Sequence, residues 1–166
     1  MIDVYRSVED GPEVELRVKA SRFLARVFRA DDAATADAAV AGVRRRFHDA
    51  SHHCWAFRVG APESTLERSE DDHEPSGTAG PPILAAISGA GVRDALVVVS
   101  RWFGGTKLGT GGLVRAYGDS AHAALEAAPR RHVWLEARLV VECAWPDVGA
   151  VEAVIAREGQ RVRSCT

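Results

Sequence analysis

The feature that most constrains this fold is an unbroken apolar run, ALVVVS at 95–100. A strand with one solvated face alternates apolar and polar residues, whereas a strand buried on both faces is apolar throughout. The run therefore predicts a strand that is buried on both faces of its sheet. The segment before it, PPILAAISGAG at 81–91, begins with prolines, which suit a first helical turn, and ends in glycines.

The segments around this strand predict a mixed α/β chain. Apolar and polar residues alternate over 14–30, with a turn near Ala20 and Ser21, which indicates a hairpin. Further expected elements are a helix capped by Asp31 or Asp32 that runs to about Phe47, a strand at 53–60, a long loop at 61–81 and a helix at 111–128. After a composition break at 127–132 we expect a strand (133–143), a helix (147–158) and a short strand (161–165).

A glycine-rich segment follows the central strand directly, in RWFGGTKLGTGG at 101–112. It leads into the helix predicted at 111–128, whose N-terminal amides and dipole could hold an anion. The spacing matches neither GxxxxGK[ST] nor GxGxxG, so it indicates no standard nucleotide site. The predicted anion-binding residues are Arg101, Gly104, Gly105, Lys107, Gly109, Gly111, Gly112 and Arg115. The alternative is a tight turn with solvated cations.

Two aromatic residues stand at the start of this segment. Trp102 and Phe103 could stack on bases, as aromatic side chains do in single-strand binders. The more common role for such residues at a strand end is to close the core.

A second turn with anion-binding character lies in the acidic loop, at EDDHEPSGTAG, 70–80. Its hydroxyls and amides directly precede the helix that begins with prolines, so they could hold a phosphate there. The residues predicted to do so are Ser76, Gly77, Thr78 and Gly80. Alternatively, Asp71 and Asp72 could hold a hard cation such as Mg²⁺, or the loop is simply solvated and capped by a hydroxyl turn.

Histidines and a cysteine cluster in HDASHHC, 48–54. Zinc sites need four spaced ligands, and this cluster has no second half at a recognised spacing. On a strand, His53 and Cys54 would also point to opposite faces, so no metal site is predicted. The residues kept as possible polar or metal contacts to whatever the glycine-rich turns bind are His52, His53, Asp71, Asp72 and Glu74.

The composition limits the possible classes of protein. The net charge of -2 argues against a chain that is basic throughout, as many non-specific nucleic-acid binders are. Three cysteines without a CxxC pair suit a reducing compartment. The first residues carry acids and lack the apolar stretch of a signal peptide, and no apolar run is long enough to span a membrane. A cytoplasmic location is expected.

Four stretches together resemble the IMPACT/YigZ family over roughly 14–128. They are SRF (21–23), HDASHHCWAFRVG (48–60), DDHEPSGTAGPPIL (71–84) and VVVSRWFGGTKLGTGGLVRAYG (97–118). The resemblance implies an α+β two-layer sandwich like that of a ribosomal-protein domain and of GHMP kinases, here over 1–130. Residues 131–166 then look like an incomplete ferredoxin-like βαβ domain. His73 replaces a common glycine, and Pro81 a common basic residue.

The functional implications of the resemblance concern translation. Eukaryotic relatives regulate translation by competing for the activator of a kinase, and the second domain of bacterial relatives suggests contact with RNA or the ribosome. We therefore expect a translation-associated binding protein rather than an enzyme, with RNA, the ribosome or a translation-regulatory protein as partner. No cofactor, membrane contact or DNA specificity is expected.

Two other functions stay open at this point. Both glycine-rich turns could line one pocket for a nucleotide or another small phosphate ligand, in a binding protein or an enzyme. Alternatively, the chain could be a protein-interaction module in translational regulation.

Overall fold

The computed structural model of the chain describes residues 4–135 and 140–162, and it divides into two compact units, 1–135 and 136–166. The first unit contains β1 (Val4–Val8), β2 (Val14–Val18), β3 (Ser21–Arg29), α1 (Ala33–Arg46), β4 (His52–Val59), β5 (Leu66–Glu70), α2 (Gly80–Gly89), β6 (Ala95–Trp102), α3 (Thr110–Ala127) and β7 (Arg130–Trp134). In the second unit, α4 (Val148–Arg157) follows a short 3-10 turn at Trp145–Asp147. No helix among the described residues has the length and apolar character to cross a lipid bilayer.

Five strands form the main sheet, in the order β2-β3-β6-β4-β5, and every neighbouring pair is antiparallel. The apolar strand β6 is its centre. A second, two-stranded sheet joins β1 to β7, with Val4 opposite Trp134. The mixed α+β class expected from the sequence is confirmed.

The two faces of β6 explain why its sequence is apolar throughout. Val97 and Val99 pack in one cluster with residues of α2 and α3, including Ile83 and Tyr117. Leu96 and Val98 pack in another cluster with α1. The prediction of a strand buried on both faces is thus confirmed, with α2 and α3 on one side of the sheet and α1 on the other.

Local signals place most of the elements that the sequence indicates. The hairpin turn lies between β2 and β3, at Lys19 and Ala20. Helix α1 begins after Asp32, whose carboxylate accepts a hydrogen bond from the Thr35 amide at 2.7 Å. That bond satisfies one of the amides that a helix start leaves without a partner.

Two expectations about elements were wrong, one strand was not anticipated, and one expected strand lies mostly outside the described residues. The loop predicted at 61–81 contains β5, which extends the sheet by pairing Glu70 with Trp55. The strand predicted at 133–143 is β7, which begins earlier and ends at Trp134, and residues 140–144 form no strand. Strand β1 was not anticipated. The last predicted strand, 161–165, lies mostly outside the described residues, and its first two residues are not in a strand.

Candidate functional site

One row of side chains crosses the main sheet at the end of β6. Arg101 lies opposite Phe23 of β3 on one side and opposite His52 of β4 on the other. Because side chains alternate along a strand, Arg101 shares the face of Val97 and Val99, toward α2 and α3. The predicted site residues Arg101 and His52 are therefore neighbours on one face.

A buried polar network is centred on Glu74. One oxygen of its carboxylate accepts hydrogen bonds from Arg101 at 2.6 Å and from the Tyr117 hydroxyl at 2.7 Å, and His52 Nε2 lies 3.8 Å from it. Arg101 also donates to the Ser21 hydroxyl at 3.1 Å. We call these five residues the Glu74 network. It joins β3, β4, β6 and α3 to the turn that precedes α2.

Arg101 is a buried cation rather than an open one. It is 4% exposed, and its guanidinium lies between the rings of Phe23 and Phe103, 5.4 and 5.5 Å from their centres. Its Nε atom is buried without a hydrogen-bond partner. Since its charge already pairs with Glu74, Arg101 links the end of β6 to the turn that precedes α2.

In the turn at 71–80, which we call the acidic turn, the backbone amides bind the carboxylate of one of the turn's own residues. The Asp71 carboxylate accepts hydrogen bonds from the amides of Gly77 at 2.7 Å, Ala79 at 2.9 Å and Gly80 at 2.8 Å. Burial alone would raise the pKa of Asp71, but these amide donors hold it below its usual value. The amides that the sequence offers to a phosphate at the start of α2 are thus already occupied by a carboxylate.

The other predicted residues of this turn have structural contacts or face solvent. The Thr78 hydroxyl donates to the carbonyl of Pro75 at 2.6 Å, while Ser76 is exposed. A side chain at Gly80 would come within 2.8 Å of the backbone of Glu70, so close packing explains this glycine. A phosphate at this turn would have to displace Asp71.

We expect Asp71→Asn to lower the stability of the folded chain by about 2 kcal/mol at neutral pH, because the amide group replaces one acceptor oxygen with a donor. The folded-state pKa of Asp71 lies below 3.8, so its stabilisation is full above that pH and is lost as the pH falls through the folded-state pKa. Urea unfolding of both proteins between pH 6 and pH 3 should show the difference shrinking toward acid. Asp119→Asn, at an exposed position of α3, is the control. A pH-independent difference would contradict this role.

Asp72, His52 and His53 also make hydrogen-bonding contacts with other residues of the chain. Asp72 accepts from Arg44 at 2.7 Å and from the His53 amide at 2.6 Å, and its own carbonyl contacts His52 Nδ1 at 2.8 Å. His53 lies on the opposite face of the strand, where its ring contacts Ser100 at 2.9 Å and burial lowers its pKa. Among the described residues, no group of three or more histidine, cysteine or acidic side chains could hold a metal ion.

Cys54 has the character of a core residue. It is fully buried, and its thiol lies 3.0 Å from the carbonyl of Asp71. Burial raises the pKa of Cys54 above its usual value, which disfavours the thiolate that a nucleophile or a metal ligand requires.

The glycines of 104–112, which we call the glycine segment, fall into two groups. A side chain at Gly104 would lie 1.8 Å from the carbonyl oxygen of Ala20, and Gly105 and Gly109 have φ values of 89° and 73°. These three glycines are explained by the path of the chain. Packing also bears on Gly112, because a Cβ there would lie 3.1 Å from that of Leu108. Gly111 has a negative φ and no atom within 4 Å of the position of a Cβ, so neither reason applies to it.

The start of α3 differs from the start of α2 in being open. Gly109 precedes the helix, no side chain in the described part of the chain caps its first amides, and its first turn contains no acid. Lys107 and Arg115 are exposed on either side of this helix start along the chain. Phe103 is 47% exposed, whereas Trp102 packs between Arg22 and Phe47 and donates to Asp49. Of the two candidate aromatic residues, only Phe103 offers a large exposed ring.

Three members of the Glu74 network were recognised from the sequence as site residues, and two were not. Tyr117 lies within the helix expected at 111–128, and Ser21 was expected in a hairpin turn. No local signal could have identified them, because their partners are 43 and 80 positions away in the chain.

Comparison with known proteins supports the resemblance seen in the sequence. Residues 19–125 match the family model of the Impact N-terminal domain. The chain is 37% identical over 149 residues to IMPACT family member YigZ of Escherichia coli (strain K12), covering 89% of this chain and 73% of that protein. It is 36% identical over 125 residues to IMPACT family member YvyE of Bacillus subtilis (strain 168), covering 75% of this chain and 57% of YvyE.

A crystal structure of a hypothetical protein has the same fold. It superposes with a TM-score of 0.80 and 33% sequence identity, covering 100% of this chain and 82% of its own. The family model, the identity to YigZ and this superposition agree. The chain belongs to the IMPACT family, and it carries that family's N-terminal domain at residues 19–125.

Proposed function

We propose that the chain acts in translation by binding RNA through phosphate contacts at the start of α3. The observation that carries the proposal is the difference between the two helix starts that follow glycine-rich turns. At α2 the amides bind Asp71, whereas at α3 no side chain of the described residues caps the first amides and the first turn contains no acid. Free amides and the positive end of a helix dipole favour a phosphate.

The charges around this helix start have the sign that a phosphate requires. Lys107 and Arg115 are exposed, and neither takes part in an ion pair among the described residues. Arg101, three residues before the glycine segment, is fixed by its buried pair with Glu74. Phe103 adds an exposed ring on which an unpaired base could stack. These features suit single-stranded RNA better than a duplex, whose bases are already stacked.

A role in translation rests on membership of the IMPACT family. RNA, the ribosome and a translation-regulatory protein would each be a partner suited to such a role. The surface at α3 favours the first two, because cations and open amides recognise phosphate. A pocket formed by both glycine-rich turns has less support, because the amides of the acidic turn are occupied by Asp71.

The test is the salt dependence of RNA binding by Lys107→Ala/Arg115→Ala beside the unmodified chain. If each cation contacts one phosphate, the slope of log affinity against log salt should become shallower by about 1.4 for single-stranded RNA. Fluorescence anisotropy with a labelled single-stranded oligonucleotide, between 50 and 200 mM salt, measures the slope.

Arg45→Ala is the matched control, because Arg45 is an exposed arginine at the end of α1. It should leave the slope unchanged. Equal slopes for the double variant and the control, or no binding by the unmodified chain at low salt, would refute the proposal. Binding of purified ribosomes without free RNA binding would point instead to a composite or protein partner.

A further inference from the structure

An apolar cavity lies on the other side of the sheet, between α1 and β3. Its volume is about 280 Å³. The apolar lining consists of Leu24, Phe28, Ala39, Val43, Phe47 and Val98. Arg26, Arg46 and Glu13 are the charged residues among its lining. The glycine segment, the acidic turn and the Glu74 network contribute no residue to this lining, so the cavity is separate from the site described above.

A glycine in the middle of α1 enlarges this cavity. Gly42 lines it, and a Cβ built on Gly42 would meet nothing nearer than a nitrogen of Arg45 at 3.9 Å. Glycine destabilises a helix interior relative to alanine. Neither close packing nor a positive φ requires glycine at this position. Gly42 therefore lowers the stability of α1, and the space left by its missing side chain opens into the cavity.

The charged residues at the cavity give it a definite chemistry. Arg46 pairs with Glu13 at 2.5 Å and lies over the ring of Phe47, 4.8 Å from its centre. Arg26 donates from Nε to the carbonyl of Gly11 at 3.0 Å and lies over Phe28 at 4.7 Å. Its ion pair with Asp10 is long, at 4.0 Å.

Each guanidinium therefore keeps donors for a further acceptor, since arginine carries five N–H groups. The side chains of Arg26 and Arg46 are 32% and 58% exposed, so they stand where the cavity meets solvent. The acids that face them are Asp10 and Glu13. A ligand carboxylate would compete with Glu13 for Arg46 and would meet less competition at Arg26.

We propose that this cavity binds a small amphipathic carboxylic acid, with its apolar part between α1 and β3 and its carboxylate on Arg26 and Arg46. Apolar walls with a few polar groups at one end are typical of small-molecule sites. At about 30 Å³ for each water-sized group, the volume admits roughly nine or ten non-hydrogen atoms. A medium-chain fatty acid or a phenylalkanoic acid has this size and this division between apolar and charged ends.

The experiment is an NMR titration of the ¹⁵N-labelled chain with octanoate, and with octan-1-ol as the uncharged control ligand. Octanoate should shift the amide signals of Gly42, Val43 and Phe47 with a dissociation constant of about 0.1–1 mM. Octanol should bind at the same residues but several times more weakly. Shifts confined to other parts of the chain would overturn the proposal.

Two variants test the two halves of the site. Gly42→Leu should fill the cavity and weaken octanoate binding at least tenfold. Gly42→Val, which takes up part of the same space and should weaken binding less, serves if the leucine variant does not fold. Arg46→Gln should weaken octanoate binding severalfold and leave octanol binding unchanged. Unaltered octanoate binding by the folded Gly42 variants would refute the cavity. Equal effects of Arg46→Gln on both ligands would refute the carboxylate class.

Discussion

Replacing Glu74 with alanine should destabilise the folded chain by about 3–5 kcal/mol, the cost of breaking a buried ion pair from one side. Arg101 would keep its charge at 4% exposure, with Ser21 as its remaining side-chain hydrogen-bond partner and an Nε atom that already has none. The Tyr117 hydroxyl would lose its acceptor in the same step. The free energy of unfolding from urea titration, followed by circular dichroism, measures the loss.

The double variant separates the ion pair from the packing around it. Arg101→Met alone should also be strongly destabilising, because it leaves the Glu74 carboxylate buried. Arg101→Met with Glu74→Leu removes both charges and should be more stable than the sum of the Arg101→Met and Glu74→Leu single effects predicts. Tyr117→Phe removes one hydrogen bond and should cost about 1–2 kcal/mol. Additive single effects, or a loss below 1 kcal/mol for Glu74→Ala, would show that the pair contributes little.

The Glu74 network also shows which parts of the site could be predicted from the sequence. Arg101 and Glu74 were both recognised as site residues because each stands in a stretch of unusual composition, Arg101 beside the glycines and Glu74 in the acidic turn. Their direct pairing was not predicted. It depends on how the acidic turn folds back over the end of β6, and the two residues are 27 positions apart. Motif patterns report local chemistry, whereas this contact is set by the tertiary fold.

Asp71 illustrates a second limit. From the sequence alone, two separate possibilities were open: the Asp71 carboxylate could bind a cation, or the amides of Gly77 and Gly80 could bind a phosphate. In the structure the carboxylate and the amides bind each other. The backbone makes this possible by a reversal in which Asp72 and Gly77 adopt φ values of 45° and 80°. Aspartate and histidine are among the non-glycine residues that adopt positive φ most often, and the adjacent His73 has a φ of 69°, but such a preference does not show which residues of a turn will adopt it.

The helices and strands divide in the same way, into those that local sequence signals predict and those that depend on tertiary contacts. Strand β6 and helix α1 were predictable because the spacing of their apolar residues and the Asp32 cap are local features of the sequence. Strand β5 was missed because four of its five residues are exposed, so it lacks an apolar pattern. Strands β1 and β7 are far apart in the chain and stabilise each other by pairing. Nothing in either stretch alone indicates the partner.

The second large effect is expected at Gly104, where alanine should destabilise the chain by about 2–3 kcal/mol. Its Cβ would lie 1.8 Å from the carbonyl oxygen of Ala20 and 2.6 Å from that residue's Cβ. Both neighbours belong to the turn between β2 and β3, so relief requires the backbone of that hairpin or of the glycine segment to move. Thermal and urea unfolding measure the loss, and amide shifts of Lys19 and Ala20 locate it.

Gly111→Ala is the matched comparison within the same segment. It lies in the first turn of α3, with no atom within 4 Å of the new Cβ, and should be neutral or stabilising by up to about 1 kcal/mol. Equal stabilities of the two alanine variants would show that the hairpin yields easily and that the close approach is unimportant. The stabilities predicted for the two variants instead mean that the fold requires glycine at Gly104. Neither packing nor φ explains Gly111, so we expect its role to lie at the open start of α3.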